Sequence, residues 1–346
     1  MRRGVWLVTA FALVAAGGGA FAGTRSWQGP DAHTAGHHSR PSPEVALPPT
    51  PGSPAARVIG GPLMASTGIV VQQPPTGAVA LPSVPASAWV IANADTGEVL
   101  AARDPHGEFA PASTLKMLTA ITLIPRLDPN TRVVASKLAT SQQPNSAELI
   151  TGRPYLASDL FRAMLMVSAN DATVALTQAT GSFDKGMALI NAEAQQLQAY
   201  DVVAKVPNGL PAPGQIVSAY DLALIARQAL RMPAFMAYDR TLTTRLVLKP
   251  GLAETFANEN SLLTKYPGGI GGKTGWTRTS LATYVGMARR NGVTLIVTLL
   301  HCQSLVEITA AEKLLDWGFA MNGKVTPVGT LVEPLISTSG QTSPSP

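Results

Sequence analysis

Cysteine is nearly absent from this 346-residue chain, for Cys302 is the only one. No internal disulfide can form, so the core must hold without one. The neighbouring His301 invites a thiol-nucleophile reading. Cys302 nevertheless stands at the end of the apolar run Val293–Leu300, one residue beyond it, where a cysteine serves as packing. Histidine is almost as scarce: His33, His37 and His38 lie in a Pro-rich stretch, and only His106 and His301 fall in the patterned region. No G-x-S-x-G elbow precedes a helix, which excludes a serine-histidine-aspartate hydrolase. Without clustered ligands a metallopeptidase is excluded too, and no metal or cofactor is implied. His106, beside Gly107 in a polar loop, reads as a surface residue. The net charge of +5 comes from scattered residues, with no basic run longer than Arg2-Arg3 or Arg289-Arg290. With few aromatics among them, that argues against nucleic acid as a partner and fits a mildly basic surface. There are no internal repeats.

The two ends are distinct from the middle. Arg2-Arg3, the apolar run Val5–Ala16 and the small-residue site Ala20-Phe21-Ala22 form a secretory leader over residues 1–22. The chain is therefore expected outside the cytoplasmic membrane, released if the leader is cleaved and tethered if it is not. Residues 23–86 are rich in Pro, Gly, Ala and Ser and read as a linker, with room for a short strand at Gly68-Ile69-Val70-Val71. Residues 323–346 read as a disordered Pro/Ser/Thr tail, and 87–322 as the catalytic domain.

Within that domain, Trp89–Ala92 and Glu98–Ala101 flank Asp95-Thr96-Gly97 as a hairpin. Helical spacing follows in Thr114–Ile124, Ala157–Thr180, Phe183–Leu197 and Ala219–Leu230, interrupted by the loops Pro207-Asn208-Gly209 and Pro211–Gly214. Gly271–Thr277, Leu281–Ala288 and Val293–Leu300 form a meander turning at Arg290-Asn291-Gly292, and Ile308–Phe319 closes the domain as a helix. Strands, a helical block, then strands predict an α+β fold whose antiparallel sheet carries helices against it.

Three short motifs carry chemistry. Ser113-Thr114-Leu115-Lys116 opens the first helix, where a spacing of three puts the amine and the hydroxyl on one face. A lysine can activate a serine only when neutral, and deprotonating an ordinary lysine at pH 7 costs about 4.6 kcal/mol. Burial and a second cation both lower that cost, and Lys273 is the candidate cation. Ser168-Ala169-Asn170 offers a proton relay and an amide that can bond both Lys116 and substrate. Lys273-Thr274-Gly275 follows four glycines within residues 268–272, and Gly275 is expected to clear space for a substrate lying along a strand edge.

In this order and spacing the motifs resemble those of the penicillin-binding D-alanyl-D-alanine carboxypeptidases, serine peptidases of the β-lactamase/DD-peptidase superfamily. The likeness runs from Ala88 to Phe319 and includes Asp95–Leu100, Pro111-Ala112-Ser113, Ser168–Ala172, Pro207–Leu210 and Leu314–Phe319. It implies a β-lactamase/DD-peptidase-like fold: an antiparallel sheet of about five strands flanked by helices, plus a helical subdomain. It also implies removal of the terminal D-alanine from peptidoglycan stem peptides ending in D-Ala-D-Ala. Ser113 would be acylated with Lys116 as its base, Ser168, Asn170 and Lys273 would complete the catalytic set, and β-lactams would trap Ser113 covalently. Thr274, Gly275, Trp276 and Arg278 would bind substrate, with the N–H groups of Ser113 and Trp276 as the oxyanion hole. Two departures stand out. Ala169 replaces a usual glycine, and Glu307 stands where many members carry an arginine for the substrate's terminal carboxylate.

Three other readings share the motifs. A class A-like β-lactamase needs a Glu-x-x-Leu-Asn loop between the second and third motifs, and none occurs there. A DD-endopeptidase differs only in its leaving group. A non-catalytic wall-binding or penicillin-sensing domain would not need Ser113, Lys116, Ser168, Asn170 and Lys273 together. Oligomeric state is not legible.

Overall fold

The structure, a computed structural model, describes residues 58–74 and 76–335. The expected leader, the histidines His33, His37 and His38, and the end of the tail lie outside the described residues. The chain enters through β1 (Ile69–Val71), the strand for which 68–71 left room. Alternation then sets the sheet: in β2 (Ala86–Asn93), Trp89 and Ile91 face one apolar layer while Val90 and Ala92 face another. That is the period-two pattern of a strand buried on both sides. β3 (Glu98–Arg103) returns antiparallel after the expected turn, where Asn93 Oδ1 accepts the N–H groups of Asp95 and Thr96.

The helical block follows. α1 (Lys116–Leu123) is entered through a 3-10 turn at Ala112–Leu115, and the short pieces β4 (Arg132–Val134), α2 (Lys137–Thr140) and β5 (Pro154–Leu156) lead to the longer helices. The single helix expected over 157–180 is two, α3 (Ala157–Met166) and α4 (Asn170–Gln178). Ser168, between them, has φ 60°, which no α-helix accommodates. α5 (Phe183–Gln196) and α6 (Ala219–Leu230) match their expected spans, each begun by a serine side chain accepting a backbone N–H, Ser182 from Lys185 and Ser218 from Asp221. α7 (Pro233–Asp239) and a hairpin, β6 (Thr243–Lys249) with β7 (Leu252–Ala257), were not expected, nor was the short α8 (Leu262–Lys265).

β8 (Gly269–Thr277), β9 (Leu281–Arg290) and β10 (Val293–Cys302) form the expected meander, and α9 (Glu307–Met321) closes it. β11 (Gly329–Thr330) adds to β3. The main sheet has seven strands in the order β1-β3-β2-β10-β9-β8, with β11 beside β3, and every pairing is antiparallel. Five of these strands are the ones read from the sequence within the expected domain, β1 is the short strand allowed for in the expected linker, and β11 is a short addition from the expected tail. The folded unit thus reaches beyond 87–322 at both ends, with Met64, Val328 and Leu331 buried in its core. α9 covers one face of the sheet and α6 the other, where Thr298 Oγ1 donates to the Ala219 carbonyl (2.8 Å). Cys302 is buried, and burial pushes its thiol up to about 11, consistent with packing. No helix among the described residues is long and apolar enough to cross a membrane.

His106 is not the plain surface residue expected. Its Nδ1 lies 2.6 Å from Asp201 Oδ2 and its Nε2 3.0 Å from the Ile59 carbonyl. A carboxylate and a carbonyl both accept, so this geometry favours the ring protonated on both nitrogens. The ring packs 4.7 Å from that of Tyr220, whose hydroxyl donates to the Thr330 carbonyl, and Thr330 N–H in turn donates to Gly60. One histidine thus pins both folded ends. Burial opposes its charge, but the hydrogen bond to Asp201 and the fields of Asp201 and Asp221 outweigh it and raise its pKa above 6.5. Its contribution is therefore complete below that value and is lost as pH rises through the raised one. Tm should fall from mildly acidic to alkaline pH, and His106→Ala should flatten that slope while costing about 1.5–3 kcal/mol at the acidic end. An unchanged slope in the variant would remove His106 from this account.

Candidate active site

The nucleophile turn is held by its backbone. The Pro111 carbonyl accepts from both Thr114 Oγ1 (2.6 Å) and Thr283 Oγ1 (2.9 Å), which ties the turn to β9. Ala112 is left with φ 47°, a conformation costing a non-glycine residue about 1–3 kcal/mol. Two glycines make room for it. A Cβ at Gly209 (φ 78°) would collide with the Ala112 carbonyl, and one at Gly275 would stand 2.8 Å from Ser113 N. The clearance at Gly275, expected for substrate, is thus taken up by the nucleophile turn itself.

Lys116 is fully buried, yet its Nζ touches three oxygens: Ser113 Oγ at 2.8 Å, Asn170 Oδ1 at 2.7 Å and the Asn208 carbonyl at 2.9 Å. Asn170 Nδ2 donates to the Gln143 carbonyl (2.8 Å), which fixes the amide with its oxygen toward the lysine. Burial first, and then the charge of Lys273, hold Lys116 well below the usual lysine range, against the opposing fields of Glu259 and Asp171. A neutral amine has two N–H donors and one lone pair. The two carbonyl oxygens can only accept, so they take the donors, and the lone pair is left facing the Ser113 hydroxyl. That is the polarity a general base needs.

Ser168 and Asn170 arrive together because α3 ends and α4 begins around them. Ser168 carries the positive φ, whereas Ala169 has φ −57°, so this turn does not need a glycine at 169. Asp171, the next residue, accepts from the N–H groups of Ala147 (2.8 Å) and Leu149 (3.0 Å) and so holds the loop carrying Pro144 and Asn145. That loop is one wall of a cavity of about 190 Å³, which is also lined by Ser113, Ser168, Asn170, Thr274, Gly275 and Trp276.

β8 lies at the sheet edge and supplies the opposite wall. Lys273 is buried, and burial lowers its pKa to about 8 while the charges of Glu259 and Asp239 resist. Its Nζ donates to the Thr274 carbonyl (2.9 Å). Trp276 is 55% exposed, so its ring forms a rim rather than a floor. Arg278 is exposed on the β8–β9 turn and is not among the cavity-lining residues, because the strand has already left the cavity. Glu307 does line it.

Three groups of this site have no sequence signal of their own. The Asn208 carbonyl is a backbone atom. Glu259 lines the cavity from a loop, where its Oε1 accepts from Asn145 Nδ2 (3.0 Å). Asp239, at the end of α7, accepts the Gly272 N–H (2.8 Å), and burial lifts its carboxyl to about 7.

Comparison with known proteins points one way. Residues 75–304 match the family described as D-alanyl-D-alanine carboxypeptidase. The chain is 37% identical over 265 residues to D-alanyl-D-alanine carboxypeptidase DacB2 of Mycobacterium tuberculosis, covering 74% of this chain and 90% of that one. A crystal structure of D-alanyl-D-alanine carboxypeptidase from M. tuberculosis H37Rv superposes with a TM-score of 0.70 at 36% identity, over 75% of this chain and 99% of that one. A mutant of Streptomyces K15 DD-transpeptidase superposes with a TM-score of 0.66 at 26% identity, over 69% of this chain and 99% of that one.

Proposed function

The chain belongs to the D-alanyl-D-alanine carboxypeptidase family of serine-type hydrolases, and from that premise we propose how its own residues carry the reaction. The activity is removal of the terminal D-alanine from peptidoglycan stem peptides. The observation that supports the assignment of roles is the fully buried Lys116, whose Nζ lies 2.8 Å from Ser113 Oγ and whose pKa is lowered by burial and by Lys273.

The peptide lies between β8 and the 144–145 loop, with the penultimate D-alanine carbonyl over Ser113. Ser113 Oγ attacks that carbon while its proton passes to Lys116 Nζ. The oxyanion accepts from the backbone N–H groups of Ser113 and Trp276, each typically worth about 3–4 kcal/mol. The scissile C–N bond then breaks, and the departing D-alanine nitrogen takes the proton through Ser168. Lys273 stays charged, keeping Lys116 neutral by repulsion. Thr274 Oγ1 and Lys273 are assigned to the terminal carboxylate, and Arg278, exposed on the turn and outside the cavity lining, is given no part in it. Water then attacks the ester carbon while Lys116 Nζ takes its proton; the C–Oγ bond breaks, that proton passes from Lys116 to Ser113 Oγ, and the shortened peptide leaves with a new carboxyl end. A β-lactam presents a similar acyl group whose amine stays attached after ring opening, so it occupies Ser113 as a slow ester. The leader over 1–22 would carry the enzyme to the cell wall, where this substrate is.

The test pairs two readouts on the purified chain: D-alanine release from a pentapeptide ending in D-Ala-D-Ala, and intact mass after brief exposure to benzylpenicillin. Release together with a single adduct is expected. Rapid destruction of the drug without peptide turnover would favour the β-lactamase reading, and inertness toward both would favour a binding domain.

A further inference from the structure

The cavity contains a carboxyl group that this reaction does not use. Glu307, the first residue of α9, lines the cavity with Thr274, Thr277 and Glu259. Its Oε2 is sealed from solvent and has no hydrogen-bond partner. Among the described residues no lysine, arginine or histidine forms an ion pair with it. Its carboxylate is half-buried, is paired with no cation and has its own backbone N–H as a donor, so the charge on the free oxygen is disfavoured, whereas the neutral acid carries an O–H that can donate. The last torsion of a glutamate is broad, so either oxygen can turn toward a ligand. Apart from that backbone N–H, the surroundings do not help ionisation. Tyr284 on β9 and Cys302 at the end of β10 face it as neutral groups, and Glu259 across the cavity adds negative charge. Lys273 bonds to Thr274, and Glu312 and Lys313 lie further along α9. Burial raises the Glu307 carboxyl above the ordinary 4.5.

We propose that Glu307 sets the leaving-group specificity of this cavity: as a neutral acid it donates to the substrate's terminal carboxylate, and as a carboxylate it repels that group and favours a leaving residue ending in a carboxamide. The proposal rests on the carboxypeptidase reading for the identity of the peptide. It makes terminal recognition fade as pH rises through the Glu307 pKa, independently of the general base.

Direct binding isolates this step from catalysis. Two peptides differing only at the C-terminus, D-Ala-D-Ala carboxylate or its carboxamide, are titrated calorimetrically into the Ser113→Ala protein from about pH 5 to about pH 7, below the Lys273 value of about 8. The carboxylate-to-carboxamide ratio of Kd should rise about tenfold or more across that range, the size expected when a hydrogen bond becomes a like-charge contact. With Glu307→Gln added, the ratio should be flat, because the amide donates at every pH while Lys273 is retained. A flat ratio in the Ser113→Ala parent, an equal slope after Glu307→Gln, or failure of both peptides to bind would overturn the proposal. If Glu307→Gln misfolds, Glu307→Ala serves, and the parent's own pH series already decides. D-alanine release by the unmodified enzyme reports the carboxypeptidase reading separately, so either can fail alone.

Discussion

Replacing Ser113 with alanine is expected to remove the penicillin adduct entirely and to lower D-alanine release by about 10⁴-fold or more. The size follows from the site's division of labour. Binding and the oxyanion donors survive the change, since both N–H groups are backbone and the turn is held by the Pro111 carbonyl rather than by the serine side chain. Only the bond-forming atom is lost, so the residual rate is that of water reaching a polarised carbonyl. The fold should be nearly unaffected. Lys116 keeps Asn170 Oδ1 and the Asn208 carbonyl and loses one hydrogen-bond partner, a change of about 1 kcal/mol. Intact mass and D-alanine release on the same preparation measure both effects, with thermal unfolding as the control. An adduct on the folded variant would move the nucleophile elsewhere. Ser168, the next hydroxyl in the motifs to line the cavity, would then be the first to replace, while the buried Cys302 thiol is held protonated.

Much of this arrangement is legible in the chain, and what is not has physical reasons. The spacing of Ser113 and Lys116 announces their contact because three residues bring side chains together on either an α-helix or a 3-10 turn. The meander is legible because β9 and β10 alternate between two apolar layers and turn at Asn291-Gly292. The break at Ser168 is not: apolar periodicity runs through 157–180 without interruption, and a single left-handed serine leaves no mark on it. The 243–257 hairpin had a turn signal in Lys249-Pro250-Gly251, but its strands bury little beyond Leu246 and Leu248, so its pattern is faint. Residues 58–74 were read mainly from their composition, which left room for the short strand at 68–71 but does not register one buried methionine. The site shows the same division. Side chains within short motifs were found, whereas the Asn208 carbonyl, Asp239 and Glu259 come from distant segments that only the fold assembles. Arg278 is the converse case: it is close to Lys273 in sequence, yet it is exposed on the turn after β8 and does not line the cavity.

Replacing Lys116 with arginine should lower Ser113 acylation by about 10³–10⁴-fold with no pH at which activity returns, because a guanidinium does not give up its proton in this range. The unmodified enzyme should instead show a bell-shaped acylation rate. Its acidic limb reports protonation of Lys116, which burial and Lys273 hold well below the usual lysine range. Its alkaline limb should fall near the Lys273 value of about 8, as the cation facing the terminal carboxylate is lost. The two limbs are coupled, and the sign is fixed. Removing the Lys273 charge relieves the repulsion that favours neutral Lys116, so Lys273→Ala should raise the Lys116 pKa and move the acidic limb upward. The same variant should abolish the alkaline limb and raise KM for a carboxylate-terminated peptide. Stopped-flow acylation by a chromogenic β-lactam across pH gives all of these from one series. An acidic limb that stays in place in Lys273→Ala would mean that burial alone keeps Lys116 neutral, leaving Lys273 with the carboxylate as its sole task.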